Sequence, residues 1–425
     1  MDIFDKLLGD VELPKVYKVR QTFDRPKIDD IEFELRKRVM DFGGLNDIKE
    51  GQSIAITAGS RGVANIAIII KAIVALVKEK GGVPFVVPAM GSHGGANASG
   101  QIMVLESMGI TEEYIDAPIN SSMEVVEIGR TEKNLPIYID QYAHNADGII
   151  VVNRIKPHVA FRGKFESGLA KMVTIGLGKQ KGAEMCHRMG FGKMAENIEE
   201  ISKKIVESEN IVLAIGLLEN AYDETCEIIP MSKEDIFTLE PGLLEKAKAN
   251  LPKIFFDKLD ILVIDEIGKN ITGTGMDTNI IGRYHTPYAS GGPDITKIVV
   301  LDLTEESHGN ANGIGLADFT TNRLFNKMKF DQTYPNSITS TVQASIKIPM
   351  VLKSDKLSIQ GAIKTSNIED FSKVRFVRIK NTLDLEYIYV SDSLYEEVVN
   401  NPYLEIIEGP NNIHFDQEGN LLGLE

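Results

Sequence analysis

The chain has 425 residues, 43% of them apolar and 25% charged. That is the profile of an ordinary globular protein of two or three domains, and it excludes a stapled mini-scaffold, a fibre or a disordered tail. The 61 acidic residues outnumber the 46 basic ones by 15, so the surface repels phosphate backbones and anionic membranes, and neither nucleic acid nor a membrane is expected as a partner.

The opening segment mixes acids and bases from Asp2 onward and lacks the apolar stretch of a signal peptide, which makes a cytoplasmic location the expectation. The two cysteines, Cys186 and Cys226, are too few for a disulfide framework and agree with a reducing compartment. From about residue 50, short β-branched runs alternate with helical patterns, predicting an α/β fold with mostly parallel sheets. Residues 53–57 read as a strand and 65–80 as a helix. The apolar run from Ala64 to Val77 is interrupted by Lys71 and too short to span a bilayer, so it is read as a buried helix. Residues 84–88 read as the next strand, followed by a helix near 100–108 and a third strand at 148–153. Helices near 194–207 and 242–250 flank a strand at 211–215. A strand at 260–264 opens a second α/β region that continues through 297–301 and 385–390. The expected organisation is two α/β domains, 1–265 and 266–405, with the active site in the cleft between them and a tail, 406–425, packing back on the first domain. No fixed-period repeat or low-complexity tract interrupts this pattern.

In open α/β sheets ligands gather beyond the carboxyl ends of the strands, and three of those loops carry unusual chemistry. The first is Gly59-Ser60-Arg61-Gly62, where Arg61 offers a planar fork suited to a carboxylate or phosphate. A lone arginine there is also compatible with a surface ion pair. The second, Met90 to Ala96, sets His93 among Gly91, Gly94 and Gly95, with no helical or core environment to satisfy it, which points to function. The third runs from Arg154 through His158, Arg162, Lys164, Glu166 and Lys171 to Gly176-Leu177-Gly178-Lys179 and His187. Its four basic residues, Arg154, Lys156, Arg162 and Lys164, suggest an anion in a chain this acidic. Gly176, Gly178 and Gly182 miss the dinucleotide fingerprint by one position, and no phosphate-loop pattern is present. His93, His158 and His187 are three of seven histidines, yet the short zinc spacings are absent, so a zinc site would need distant segments. Pattern alone leads to an anion site with one or two histidines as acid or base near neutral pH.

On Gly59 to Gly62, Ala89 to Ala96, Asn153 to His158 with Lys171 and His187, and Glu266-Ile267-Gly268-Lys269-Asn270, the chain resembles the lactate racemase family, whose members use a nickel-pincer nucleotide. The resemblance implies a racemase or epimerase that inverts C2 of a 2-hydroxy acid by proton-coupled hydride transfer to that cofactor. It implies that Lys171 tethers the cofactor and that His187 ligates nickel, the other metal donors belonging to the cofactor. His93 and His158 match acid/base histidines on opposite faces of the substrate. Arg61 and Lys269 match cations that orient the substrate carboxylate or the reactive centre, with Glu266 beside them. Ser60, Gly91, Gly176 and Gly178 fall in the cofactor-binding set. Cofactor-biosynthesis enzymes are then partners, and a host without them yields apo protein. Three departures stand out. Ala58 replaces an aspartate expected in the family's lactate enzymes, Glu266 replaces a glutamine, and the 13-residue interval from His158 to Lys171 keeps Lys164 as a lesser tether candidate. These departures put lactate itself in doubt, and the polar loop around His158 favours a larger, more polar acid, such as a sugar acid or a hydroxy dicarboxylate. The competing readings are a non-pincer metal- or phosphate-dependent enzyme and a carrier of the nickel cofactor. Asp277, Asn279, Arg283, Tyr284 and His285 lie in a glycine-rich segment and receive no role.

Overall fold

The computed structural model describes residues 3–60 and 62–422. The chain divides into two compact units, Asp24–Leu251 and a discontinuous one made of Met1–Phe23 and Pro252–Glu425.

The unit Asp24–Leu251 is built on a five-stranded sheet in the spatial order Val83–Pro88, Ser53–Ala58, Gly148–Arg154, Ile211–Glu219, Thr225–Met231. The first four strands are parallel and the last is antiparallel. Ser53–Ala58 and Gly148–Arg154 are buried almost end to end, as strands covered on both faces must be. The helix Ile66–Glu79 is apolar nearly all round and buries Ile66, Ile69, Ile70, Ile73, Leu76 and Val77. It packs in one core with Leu35 and Val39 of the helix Ile31–Phe42 and with the sheet residues Ile54, Ile56, Ile150 and Leu213. Because the first strand lies between the second and third, the chain reverses its winding direction between Ser53–Ala58 and Gly148–Arg154. A crevice opens at such a switch point, beyond the carboxyl ends of those two strands.

The discontinuous unit has an eight-stranded sheet in the order Met350–Leu352, Phe319–Thr321, Asp294–Leu303, Lys258–Ile267, Phe376–Ile379, Tyr387–Ser391, Val16–Gln21, Leu404–Asn411. The first five strands are parallel and the last three pair antiparallel. Its switch point lies between Lys258–Ile267 and Phe376–Ile379, so this sheet too has a crevice position at the carboxyl end of its first parallel strand.

Alternating strands and helices appear where hydrophobic periodicity placed them, and the mostly parallel α/β class holds. The domain limits differ from the expectation. A cut at 265 would sever the central strand Lys258–Ile267, whereas the units part at Leu251 and Pro252. Residues 1–23 belong with the second sheet, because Val16–Gln21 is hydrogen-bonded on both edges there. The tail stays in that unit as well: Phe415 bridges Leu421, and Leu421 donates its amide to Asp355 at 2.8 Å. Cys186 and Cys226 are both free thiols. Among the described residues no helix is long and apolar enough to cross a membrane.

Candidate functional site

The residues of interest in the unit Asp24–Leu251 converge on one segment. Residues Leu169–Lys171 form a short helix that continues as a π-helical turn, Met172–Gly176, and then as the helix Lys179–His187. Local π turns widen a helix by one residue per turn and recur at functional sites. The loop after the first strand lies against this segment, since a Cβ on Gly59 would stand 3.2 Å from the Met172 methyl. The loop after the second strand is held to it by the Gly91 amide donating to the Gly176 carbonyl at 3.2 Å. The third loop is tied to its start by Asn153 Nδ2 donating to the Gly168 carbonyl at 2.8 Å.

His93 caps a single 3-10 turn and its Nδ1 shares a short hydrogen bond with Ser60 Oγ, which joins the first two loops. His158 is held on every side. Its amide donates to Glu166 at 2.8 Å, its carbonyl accepts from Arg162 at 2.6 Å, and its Nδ1 accepts the Ala160 amide at 3.1 Å. Its ring lies 4.4 Å from that of Phe161. Phe191 stands between two of the histidines, 6.2 Å from the His158 ring and 5.3 Å from that of His187. His187 occupies the last turn of its helix, and its Nδ1 is buried with no hydrogen-bond partner among the described residues. Burial lowers its pKa to about 4, and the nearby Lys171 charge pushes the same way. The ring is therefore neutral at neutral pH, the form in which imidazole binds a metal.

Several expectations need revision. The basic cluster in the third loop is not an open anion site: Arg154 pairs with Glu219, and Arg162 is engaged with Glu166 and the His158 carbonyl. Lys164 is exposed and lies over the Phe165 ring at 5.3 Å. Packing accounts for Gly176 and Gly178, since a Cβ would meet Met172 Sδ at 2.6 Å in the first and the Thr174 carbonyl at 2.4 Å in the second. Among the described residues no group of three or more His, Cys, Asp and Glu side chains is arranged to hold a metal ion, so the three histidines do not make a zinc site. Arg61 lies outside the described residues.

Glu266 and Lys269 belong to the other unit, at the switch point of its sheet. Glu266 accepts from Asn381 Nδ2 at 3.1 Å, and Lys269 Nζ donates to the Gly273 carbonyl at 2.8 Å. Ser307 Oγ accepts the Lys269 amide at 2.9 Å. Arg283 has a structural task, its guanidinium bound to Asp318 at 2.6 Å and to the Leu316 and Ile295 carbonyls. Asp277 caps the turn Thr278–Ile281 and accepts from Asn279, which in turn accepts from the Tyr284 hydroxyl. Burial lowers the His285 pKa to about 4.

Sequence reasoning missed the groups that hold this site in place. Lys179, fully buried, pairs with the equally buried Asp140 at 3.1 Å and donates to Gln101 at 3.1 Å and to the Pro88 carbonyl. Gln101 passes the restraint on, donating to the carbonyls of Gly91 at 3.0 Å and His93 at 3.3 Å. Glu240, 1% exposed, accepts the Ala170 amide at 3.0 Å at the head of the Lys171 segment. No local pattern separates such buried charges from solvated ones.

Residues 47–199, which contain Ser60, His93, His158, Lys171 and His187, match the family model described as the lactate racemase N-terminal domain. That stretch is similar to the lactate racemase N-terminal domain. The chain is also similar in structure to the lactate racemase apoprotein from Thermoanaerobacterium thermosaccharolyticum. The two share 12% identity with a TM-score of 0.52, over 87% of this chain and 99% of that one, a likeness of fold. No curated protein sequence matches the chain. The matched stretch thus holds the three histidines and Lys171, while Glu266 and Lys269 lie beyond it.

Proposed function

We propose that the protein is a racemase or epimerase of 2-hydroxy acids working with a nickel-pincer nucleotide. The observation that carries this reading is the pairing of Lys171 and His187 at the two ends of one helical run inside the lactate racemase N-terminal domain, close enough for the lysine charge to act on the imidazole. The residues fit such a group: Lys171 offers an amine for the covalent link, and His187 offers a neutral ring with a buried, unpartnered nitrogen. When bound, the cofactor supplies a reversible hydride acceptor, chemistry that no side chain provides.

The chain's own residues do the rest. His93, whose Nδ1 shares a hydrogen bond with Ser60, is the residue proposed to exchange a proton with the substrate hydroxyl. His158 faces the same task from the third loop. Arg61 is the cation proposed to orient the carboxylate. Of the features bearing on the substrate, the polar loop around His158 is committed to internal bonds. Ala58 still stands, where the absent aspartate withdraws a carboxylate from the first loop. A sugar acid or hydroxy dicarboxylate is the proposed substrate on that ground.

The deciding experiment is intact mass with nickel content on protein made anaerobically beside the cofactor-biosynthesis enzymes. A nucleotide-sized adduct mapped to Lys171, about one nickel per chain, and loss of both in Lys171→Ala are expected. Unmodified, nickel-free protein that resists reconstitution overturns the reading. Loaded protein that turns over lactate at least as fast as every polyhydroxy or dicarboxylic acid offered removes the larger acid alone.

A further inference from the structure

The discontinuous unit holds a cavity of about 160 Å³ that shares no residue with the candidate site. Its floor is the antiparallel side of the sheet. Lys18 stands opposite Tyr389 on one neighbouring strand and opposite Glu408 on the other, and Tyr389 stands opposite Arg378. Residues opposite one another in a ladder share a face, so these four side chains form one polar row across four strands. Two residues along, on the same face, Phe376 and Val16 begin an apolar wall, which Ile359 of the helix Asp355–Thr365 and Ile413 and Leu421 of the tail complete. An apolar wall facing a few placed polar groups is how small-molecule sites are composed.

The polar side is built in advance of any ligand. Arg378 is 6% exposed, and Asp265 accepts from its Nε at 2.7 Å and from its Nη2 at 2.9 Å. That grip fixes the fork by one edge and does not use Nη1. The guanidinium carbon lies 5.8 Å from the centre of the Tyr389 ring. Burial pushes the Tyr389 pKa up, with Arg378 pulling it down and Glu408 and Asp265 adding to the rise, so at neutral pH the hydroxyl keeps its proton and donates. Glu408 is engaged by Asn411 Nδ2 at 2.6 Å. Among the described residues the lining has two basic groups, Lys18 and Arg378, against the single carboxylate of Glu408. In a chain of net charge −15, such a lining suits an anion.

We propose that this cavity binds a small monocarboxylic acid with an apolar body of one ring or a short chain, its carboxylate on Arg378 and the Tyr389 hydroxyl and its body against Val16, Phe376 and Ile359. Hydrogen bonds between guanidinium and carboxylate are short and strong because both partners are charged. Asp265 already holds the fork still, so little side-chain freedom is lost on binding. The site does not depend on the racemase reading, which concerns other residues.

The probe is benzoate, added to the full-length chain labelled at Ile, Leu and Val methyl groups. It is expected to shift the methyl signals of Val16, Ile359, Ile413 and Leu421 with a millimolar or tighter Kd, leaving those of Ile54 and Ile150 in the other sheet in place. Benzamide, alike in shape but uncharged, is expected to bind at least tenfold more weakly, and Tyr389→Phe to weaken benzoate at least threefold. Arg378→Gln combined with Asp265→Asn removes both charges together, so that neither is stranded, and is expected to abolish saturation. Benzoate that leaves these methyl groups unmoved, equal affinity for benzamide and benzoate, or wild-type affinity in the double variant folded by circular dichroism each overturns the proposal. If the double variant does not fold, Tyr389→Phe decides, and unchanged affinity there overturns it as well.

Discussion

At the scale of single residues, the site depends on a charge that never reaches water. Lys179 has a left-handed backbone, φ 54°, and its ammonium lies against Asp140, Gln101 and the Pro88 carbonyl. Burial pulls the pair toward neutrality, raising the Asp140 pKa and lowering that of Lys179, while their mutual attraction opposes it. Removing one partner of such a pair leaves the other stranded, so Lys179→Met is expected to destabilise the protein by about 3–5 kcal/mol in urea unfolding. Adding Asp140→Asn, which keeps the acceptor for the Ala143 amide, is expected to recover at least half of that loss. A double variant as unstable as the single one shows that packing around Lys179, rather than the charge, is what counts. His93 and Arg61 were legible in the sequence because glycines surround them. Lys179 was not, because Gly-Leu-Gly-Lys reads as readily as a solvated loop, and burial is decided by Pro88, Gln101 and Asp140 from three distant segments.

At the scale of elements, the helical run from Leu169 to His187 starts on a buried acid. Glu240 accepts the Ala170 amide, and its side chain fills the space that a Cβ on Gly168 would need. Burial raises its pKa from 4.5 to about 7, against the lowering effect of the Ala170 and Leu169 amides. A carboxyl with a raised folded-state pKa contributes stability that is complete below 4.5 and is lost as pH climbs through 7. The advantage of wild type over Glu240→Gln is therefore expected to shrink by up to about 3 kcal/mol between pH 4.5 and pH 8. Urea unfolding at the two pH values checks this, and a difference independent of pH means that Glu240 keeps one protonation state throughout. Strands such as Ser53–Ala58 and the helix Ile66–Glu79 were visible as continuous apolar runs. The π turn Met172–Gly176 was not, because a single widened turn leaves no period to detect.

At the scale of the whole molecule, both sheets carry their candidate groups at a switch point; the loop-after-strand rule led to those of the first sheet, whereas Glu266 and Lys269 of the second came from the resemblance alone. The rule does not say which strands share a sheet. Residues 1–23 looked like the start of the first domain because nothing local marks Val16–Gln21 as the partner of strands near the other end of the chain. Its pairing with Tyr387–Ser391 and Leu404–Asn411 is decided by the register of side chains such as Val19, which is completely buried. Deleting residues 1–23 takes away the only ladder partner of Leu404–Asn411 among the described residues. Amide exchange in 387–391 and 404–411 is then expected to accelerate at least a hundredfold, with 53–58 and 148–154 unchanged. Uniform acceleration across both sheets contradicts the division into units.

The same strand imposes a timetable on synthesis. Its first partner, Tyr387, is translated 366 residues after Gln21, a wait of roughly 20–70 s at ordinary elongation rates. In that interval the sheet that bears the histidines can be complete on the ribosome while the other lacks its closing strands. Lys18 and Arg20, alternating with Val19 along the waiting strand, are charges placed where a nascent chain needs to discourage neighbours from pairing with it.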